Sequence, residues 1–200
     1  MSAAVITGMI GPMTRWGPDA RGRLTQAAME LYAKRGYDQT TVAEIAERAG
    51  LTERTFFRHF ADKKEVLFAG SEALQNLMAG AVASAPSSAT PMEAVAAGLL
   101  AAGTVFNEER RAYSRRRQAI IASNAELRER ELIKLASLAS ALAETLSGRG
   151  VADPAARLTA EAGIAVFRVA FERWIEARNE RQWSELIRDS LAKLKVLVAS

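Results

Sequence analysis

The chain lacks the residues on which several protein classes depend. Its 200 residues contain no cysteine, which excludes disulfides, a cysteine nucleophile and thiolate sites for zinc or iron–sulfur clusters. The single histidine, His59, excludes zinc sites built from several histidines. No apolar run approaches the ~18 residues that a membrane span needs, and residues 1–10 lack the basic and apolar regions of a signal peptide. We therefore expect a cytoplasmic protein that does not contact a membrane.

The sequence also lacks the motifs of common catalytic sites. It has no G-x-S-x-G nucleophile motif, no glycine-rich phosphate loop and no metal-ligand cluster. We therefore expect no enzyme activity, no metal and no cofactor. Its 49% hydrophobic and 25% charged residues are typical of a globular chain, and the net charge is +4. This excess is divided evenly between residues 1–70 and 71–200, so net charge alone does not indicate a nucleic-acid partner.

Apolar residues recur at the three- and four-residue spacing of amphipathic helices, and no segment alternates like a strand. This pattern predicts an all-α fold of about nine helices, four before residue 80 and five in a second bundle. Gly36 is expected to end the first helix, and residues 84–91 interrupt the helical pattern as a loop or linker. Long helices are predicted over 124–146, 154–178 and 182–198. Four pairs have the spacing of a capping box and predict helix starts: Thr41 with Glu44, Asp62 with Glu65, Thr90 with Glu93, and Ser123 with Glu126.

Residues 41–60, TVAEIAERAGLTERTFFRHF, have the spacing of a helix–turn–helix motif. A small residue at the crossing point, Ala46, is followed by Gly50 and by Thr52, which can cap a second short helix. Phe56 and Phe60 are expected to point inward, because they lie one turn apart on that helix. Its opposite face would be free to enter the major groove of DNA.

The predicted outward face carries cations and hydrogen-bonding side chains. Arg54 and Arg58 lie one turn apart and either read guanine edges or form a solvated helix face. Thr55 and His59 are candidates for phosphate contacts, and Phe57 for packing on the DNA backbone or a thymine methyl group. The full set of predicted DNA-binding residues is Thr40, Thr41, Glu53, Arg54, Thr55, Phe57, Arg58, His59 and Lys63. Within this set, Lys63 and nearby helix amides are expected to hold a phosphate. Thr41 is expected to cap its helix, and Thr40 both to bond within the turn and to contact DNA.

Residues 22–70 contain, in order, the segments LTQAAMELYAKRGYDQTTVAEIAERAG, LTERTFFRHF and DKKEVLF. This combination resembles the TetR (tetracycline-repressor-like) family of bacterial transcription regulators. The resemblance implies a homodimer formed through the last two helices, an effector cavity among the middle helices, and an effector that changes the separation of the two DNA-binding heads. Family members commonly have tyrosine at the position of Phe57, so a phenol contact to phosphate is missing here. Residues 1–18 contain several glycines and prolines and no helical period, and they are interpreted as a flexible N-terminal arm. The expected domains are a DNA-binding domain over 19–68 and a ligand-binding and dimerisation domain over 69–200.

The C-terminal half contains the segments ERRAYSRRRQAIIASNAELRERELIKL and DPAARLTAEAGIAVFRVAFERWIE. Through these segments it resembles an actinobacterial subgroup of that family that includes the mycofactocin-system regulator. The subgroup is associated with acyl-CoA-like ligands, which are therefore candidate effectors.

Candidate effector-binding residues are mostly aromatic: Phe106, Tyr113, Arg117, Phe167, Phe171 and Trp174. The sequence leaves open which of them line a pocket, fill the core or face a dimer partner. Trp183 is expected to anchor the last helix. The arginines at 110, 111, 115, 116 and 117 form a solvated face, an anion clamp for a ligand, or a mixture of the two in which Arg117 turns inward beside Tyr113.

We expect a ligand-responsive, dimeric repressor that binds a pseudo-palindromic operator on double-stranded DNA. Activation in place of repression remains open at this level. The alternative is a helical adaptor that uses its helix–turn–helix only for packing. The adaptor predicts no strongly salt-dependent DNA binding, whereas the regulator predicts a steep salt dependence.

Overall fold

A computed structural model describes residues 19–199, in which nine α-helices and no strand occur, as predicted for an all-α fold. The helices are α1 (Ala20–Arg35), α2 (Val42–Arg48), α3 (Glu53–His59), α4 (Ser71–Ala83), α5 (Pro91–Ala101), α6 (Glu108–Ala122), α7 (Ala125–Gly148), α8 (Ala155–Ile175) and α9 (Trp183–Ala199). None of them is long and apolar enough to cross a membrane. The predicted arm, residues 1–18, lies outside the described part of the chain.

Side-chain caps define several helix starts. The Asp19 carboxylate accepts a hydrogen bond from the Gly22 amide at 2.7 Å and so begins α1. Thr41 and Glu44 form the predicted capping box at the start of α2. At the other end of α1, Gly36 has a φ of 85°, a left-handed conformation that favours glycine. These local signals confirm the sequence-based boundaries of the first two helices.

The helix predicted from Asp62 is divided in two. The Asp62 carboxylate accepts from the amides of Lys64 and Glu65, at 2.9 and 3.1 Å, as a cap should. The Glu65 side chain turns toward α7 instead of completing the capping box. Only a 3₁₀ turn, Glu65–Phe68, follows, and α4 begins beyond Gly70. The prediction that Asp62 and Glu65 begin an α-helix is therefore wrong, because a 3₁₀ turn lies there.

The start of α7 also differs from the prediction by one residue. The Asn124 side chain, and not Ser123, accepts from the Leu127 amide at 3.2 Å. The Ser123 hydroxyl instead donates to the Ile120 carbonyl, because Ser123 ends α6.

The buried apolar residues form two cores. The C-terminal core joins α4, α5, α7, α8 and α9, and the N-terminal core joins α1, α2, α3 and the 3₁₀ turn. Three residues from further along the chain complete the N-terminal core: Ile120, Ile121 and Leu127. The end of α6 and the start of α7 are therefore packed into the domain that carries the helix–turn–helix. This packing connects the two domains through apolar contacts.

Candidate DNA-binding surface

Helix α3 is held by a small aromatic core and a tight turn. Phe56 is fully buried, and its ring lies 5.6 Å from that of Phe60 between ring centroids. Between α2 and α3, Gly50 has a φ of 65° and the Leu51 amide donates to the Ala46 carbonyl at 2.8 Å. This turn fixes how α3 leaves α2, which is the geometry that the motif predicted.

The opposite face of α3 is open to solvent. Glu53, Arg54 and Arg58 are exposed, and Phe57 has 56% of its surface exposed. Thr55 is half-buried, and its amide donates to the capping hydroxyl of Thr52 at 3.2 Å. The exposed face therefore consists of the side chains that the sequence placed there, with an apolar ring among them.

Two cations on this face differ from most others in the N-terminal domain. Arg35 and Arg48 form ion pairs with glutamates at 2.5 and 2.6 Å, and Lys64 pairs with Glu126 at 2.8 Å. Arg54 and Arg58 have no ion pair or hydrogen bond through their guanidinium groups within residues 19–199. Their charges are therefore available to an anionic partner such as the DNA backbone or a guanine edge.

Thr40 and Thr41 are placed in the turn that precedes α2. Thr40 is fully buried, and its hydroxyl donates to the Gly36 carbonyl at 2.9 Å. A side chain with no exposed surface cannot contact DNA in this arrangement, so the prediction of Thr40 as a DNA contact is corrected. Thr41 is exposed and caps α2, as expected for its first role.

Lys63 is engaged within the protein. Its ammonium group donates to the carbonyls of Tyr37 and Thr40, at 3.0 and 2.9 Å. The amides of the following turn are already bonded to Asp62. Neither the ammonium nor those amides is arranged to hold a phosphate, so this part of the predicted site is corrected. The sequence missed it because the carbonyl partners lie more than twenty residues away.

His59 is half-buried at the end of α3. Its Nε2 atom is buried and has no hydrogen-bond partner within the described residues. A phosphate contact through that nitrogen would require the imidazole to rotate outward. The predicted contact is therefore not preformed in this structure.

Polar contacts join the N-terminal domain to α6 and α7. The Glu65 carboxylate pairs with Arg130 at 2.5 Å and with Lys134 at 3.2 Å, both on α7. On α6, the Arg117 Nε atom donates to the Leu67 carbonyl at 2.6 Å. Burial raises the pKa of the Glu65 carboxyl, but the hydrogen bonds and charges of Arg130 and Lys134 outweigh burial and hold it below its ordinary value.

A Glu65→Gln variant should reveal this connection through its pH dependence. The pKa of Glu65 is lower in the folded protein than in the unfolded chain, where it is about 4.3. The ionised carboxylate therefore stabilises the fold at pH values above the unfolded-state pKa, and this stability is lost as the pH falls through the folded-state pKa. We therefore expect the variant to be less stable than the unchanged protein at pH 7, with a difference that shrinks below about pH 4. Denaturant unfolding across this range measures it. A difference that is constant with pH would contradict the ion-pair explanation.

Four of the six predicted effector residues form one aromatic cluster, with Phe106 at its centre. Its ring centroid lies 5.5 Å from those of Phe171 and Trp174, and 4.5 Å from that of Trp183. Phe167 is the remaining member of this aromatic cluster, at 5.6 Å from Phe106. The Trp183 Nε1 atom donates to the Leu99 carbonyl at 2.8 Å, which confirms the predicted anchoring of the last helix. The rings pack against one another. Two open depressions lie elsewhere on the surface, one of about 290 Å³ between α1 and α2 and one of about 170 Å³ where the 3₁₀ turn meets α1, α4 and α7.

Tyr113 and Arg117 do not belong to this cluster. Tyr113 packs against the N-terminal core, and the Arg117 guanidinium lies 5.1 Å from the centre of the Phe68 ring. The two residues are one turn apart on α6 and share the face that contacts the DNA-binding domain. Of the places that the sequence left open, the structure puts Tyr113 and Arg117 at the N-terminal core, apart from the four residues clustered at Phe106.

Two arginines of α6, Arg111 and Arg115, have a role that no sequence-based alternative described, whereas Arg110 and Arg116 are exposed. Arg111 is buried and donates to the carbonyls of Asn179 and Arg181. The Arg115 Nε atom donates to the Ile175 carbonyl at 2.7 Å. Ile175 ends α8, three residues earlier than the predicted end at residue 178. These two arginines fasten the α8–α9 connection to α6, and so they form neither a solvated face nor an anion site in this structure.

The fastening by Arg111 should be measurable as stability. Arg111→Ala leaves two carbonyls without their charged donor, and we expect a loss of about 1–3 kcal/mol in the free energy of unfolding. The matched control is Arg110→Ala, which removes the same charge from an exposed neighbouring position and should change stability by less than about 0.5 kcal/mol. Denaturant titration of both variants tests this. Equal losses would mean that the carbonyl bonds contribute nothing.

Comparisons with known families agree with this architecture. A profile described as "Bacterial regulatory proteins, tetR family" matches residues 24–69. A second, described as "MftR C-terminal domain", matches residues 89–198, which is more than half of the chain.

Individual relatives cover different parts of the chain. It is 26% identical over 155 residues to MftR of Mycobacterium tuberculosis, which carries the name of a mycofactocin biosynthesis transcriptional regulator; the match covers 76% of this chain and 78% of that protein. It is 39% identical over 75 residues to the HTH-type transcriptional regulator TcmR of Streptomyces glaucescens, covering 38% of this chain and about a third (33%) of TcmR.

A solved structure has the same fold. The transcriptional regulator FadR of Bacillus subtilis, in complex with stearoyl-CoA, superposes with a TM-score of 0.57 at 20% identity, over 86% of this chain and 96% of that one. The helix–turn–helix geometry and both profiles lead to one conclusion. This chain belongs to the TetR family of bacterial regulatory proteins, with an MftR-type C-terminal domain.

Proposed function

We propose that this protein is a dimeric repressor that binds a pseudo-palindromic operator and is released by a small-molecule effector. The observation that carries the proposal is the exposed face of α3, where Arg54 and Arg58 lie one turn apart without partners among residues 19–199. A guanidinium group pairs with the O6 and N7 atoms of guanine through two hydrogen bonds. In this proposal both arginines read bases, Glu53 and Phe57 contact neighbouring bases or sugars, and Thr41, Thr55 and a rotated His59 contact phosphates.

The dimer in this proposal forms through α8 and α9. Leu158 and Val169 are 67% and 50% exposed on α8, and their eleven-residue separation places them on one face of the helix. Val198 near the end of α9 is 75% exposed. A second copy would remove these apolar side chains from water, and a two-fold dimer would match a two-fold operator.

The effector that we propose is an acyl-CoA-like molecule. The FadR structure of the same fold contains stearoyl-CoA, and the aromatic cluster around Phe106 offers an apolar surface to an acyl chain. The rings are packed together in this structure, so the ligand must separate them. Helix α6 would transmit that change, because its first half is fastened to the α8–α9 connection by Arg111 and Arg115 and its last turn lies in the N-terminal core. Release then requires only that the effector bind better to the conformation that does not bind DNA.

The proposal is tested by selecting bound duplexes from a random pool at two salt concentrations. We expect an enriched palindrome and a logarithmic affinity that falls with the logarithm of salt by about 0.9 for each neutralised phosphate. The recovered operator then serves to screen for release by acyl-CoA thioesters of different chain length. Absence of any enriched sequence, together with binding that does not depend on salt, would favour the helical adaptor instead.

A further inference from the structure

One lysine joins the two ends of the helix–turn–helix. The Lys63 ammonium donates to the carbonyls of Tyr37, Asp38 and Thr40, at 3.0, 3.4 and 2.9 Å, and lies 4.4 Å from the centre of the Tyr37 ring. Its own carbonyl accepts a hydrogen bond from the Tyr32 hydroxyl at 2.6 Å. A single residue therefore connects α1, the turn between α1 and α2, and the segment just beyond α3.

The surroundings of Lys63 make these contacts persistent. Tyr32 and Tyr37 are buried, as is Thr40. Burial raises the pKa of Tyr32 well above its ordinary value and that of Tyr37 to about 12, so both phenols remain neutral near pH 7. A neutral Tyr32 hydroxyl keeps its proton for the bond to the Lys63 carbonyl. Three carbonyl oxygens and an aromatic face lie around the ammonium group of the half-buried Lys63.

The same turn receives a contact from the C-terminal domain. The Asn124 side-chain amide, at the start of α7, donates to the two oxygens of the Asp38 carboxylate at 3.0 and 3.2 Å. Asp38 thus accepts from α7 through its side chain and from Lys63 through its carbonyl. A displacement of α7 would therefore be transmitted through the α1–α2 turn to the segment that follows α3.

We propose that Lys63 is a positioning residue for DNA recognition: through the α1–α2 turn it sets the orientation of α3 relative to α2, and it does not contact phosphate itself. The inference rests on the proposed function, since orientation of α3 matters only if α3 reads DNA. A phosphate-binding lysine would contribute equally to every DNA sequence, whereas a positioning lysine contributes to the operator alone.

The experiment compares Lys63→Met and Lys63→Arg with the unchanged full-length protein. Affinity is measured for the selected operator and for random duplex across a series of salt concentrations, well below each variant's unfolding temperature. Lys34→Met is the matched control, because it removes one exposed lysine charge from α1. Thermal unfolding of each variant is recorded in parallel.

We expect Lys63→Met to lose about tenfold or more in operator affinity, to keep its affinity for random duplex, and to retain the salt slope of the unchanged protein. Lys63→Arg should also lose operator affinity, because a planar guanidinium group cannot replace a compact ammonium among three carbonyls. Lys34→Met should match the unchanged protein in its preference for the operator.

Three outcomes would overturn the inference. A salt slope reduced by about one unit, with equal loss on all sequences and rescue by arginine, would assign Lys63 to a phosphate. A lower unfolding temperature with unchanged operator affinity would make its role structural only. Failure of the unchanged protein to bind any DNA is a distinct result, because it would reject the proposed function and the positioning role with it.

Discussion

We expect the Arg58→Ala variant to bind its operator about 5- to 150-fold more weakly than the unchanged protein, which corresponds to about 1–3 kcal/mol. The loss should fall on one base position in each half-site, because a bidentate arginine distinguishes guanine from the other bases. The fold should persist, since the Arg58 side chain is exposed and makes no ion pair or hydrogen bond within residues 19–199. Repeating the duplex selection with the variant and measuring its affinity for the original operator provide the test.

The control for this variant is Arg157→Ala on α8. Arg157 is exposed and pairs with Asp153 at 2.6 Å, far along the chain from α3, so its removal changes the net charge equally. We expect no change in the selected sequence for the control. If Arg58→Ala weakens all sequences alike, Arg58 contacts phosphate and the assignment of base recognition to it is wrong.

A larger effect is expected inside the N-terminal core. Phe56 is fully buried and contacts the rings of Phe57 and Phe60. Phe56→Ala leaves a cavity where the ring stood, and we expect a loss of about 3–5 kcal/mol in the free energy of unfolding of this domain. Because the other large core is separate and begins at α4, operator binding should disappear before the C-terminal helices melt. Circular dichroism and operator binding, followed together during heating, measure the two events.

Phe56→Leu serves as the comparison, since leucine keeps most of the apolar volume and should lose less stability than alanine. A single transition in which helical signal and operator binding vanish together in Phe56→Ala would show that the two cores unfold as one unit. In that case the apolar contacts of Ile120 and Ile121 with the N-terminal core would be strong enough to couple them.

Local signals accounted for most helix ends in the N-terminal half. Thr41 with Glu44, Thr52 at the start of α3 and the left-handed Gly36 and Gly50 act within a few residues of one another. Their chemistry is therefore visible in the order of the residues. The exposed face of α3 follows from the same periodicity, because the inward positions of Phe56 and Phe60 fix the outward ones.

The sequence-based predictions of side-chain roles fail where a side chain bonds to a distant part of the chain. Glu65 had the spacing of a capping residue but pairs with Arg130 on α7. Lys63 was predicted to bind phosphate but donates to the turn before α2. Arg111 and Arg115 bond to backbone carbonyls of the α8–α9 connection. A backbone carbonyl exists at every residue, so no sequence pattern marks which of them will accept from an arginine or a lysine.

The sequence by itself determined the helical fold, the helix–turn–helix and the cations that α3 exposes, because periodicity, capping and turn conformation are short-range properties. The tertiary structure alone decided how the charged side chains are used. Among residues 19–199 it left Arg54 and Arg58 without partners, engaged Lys63 and Arg111 with carbonyls, and separated Tyr113 and Arg117 from the aromatic cluster. The physical reason is that long charged side chains form their bonds only after distant helices have packed, and that packing follows from the two apolar cores.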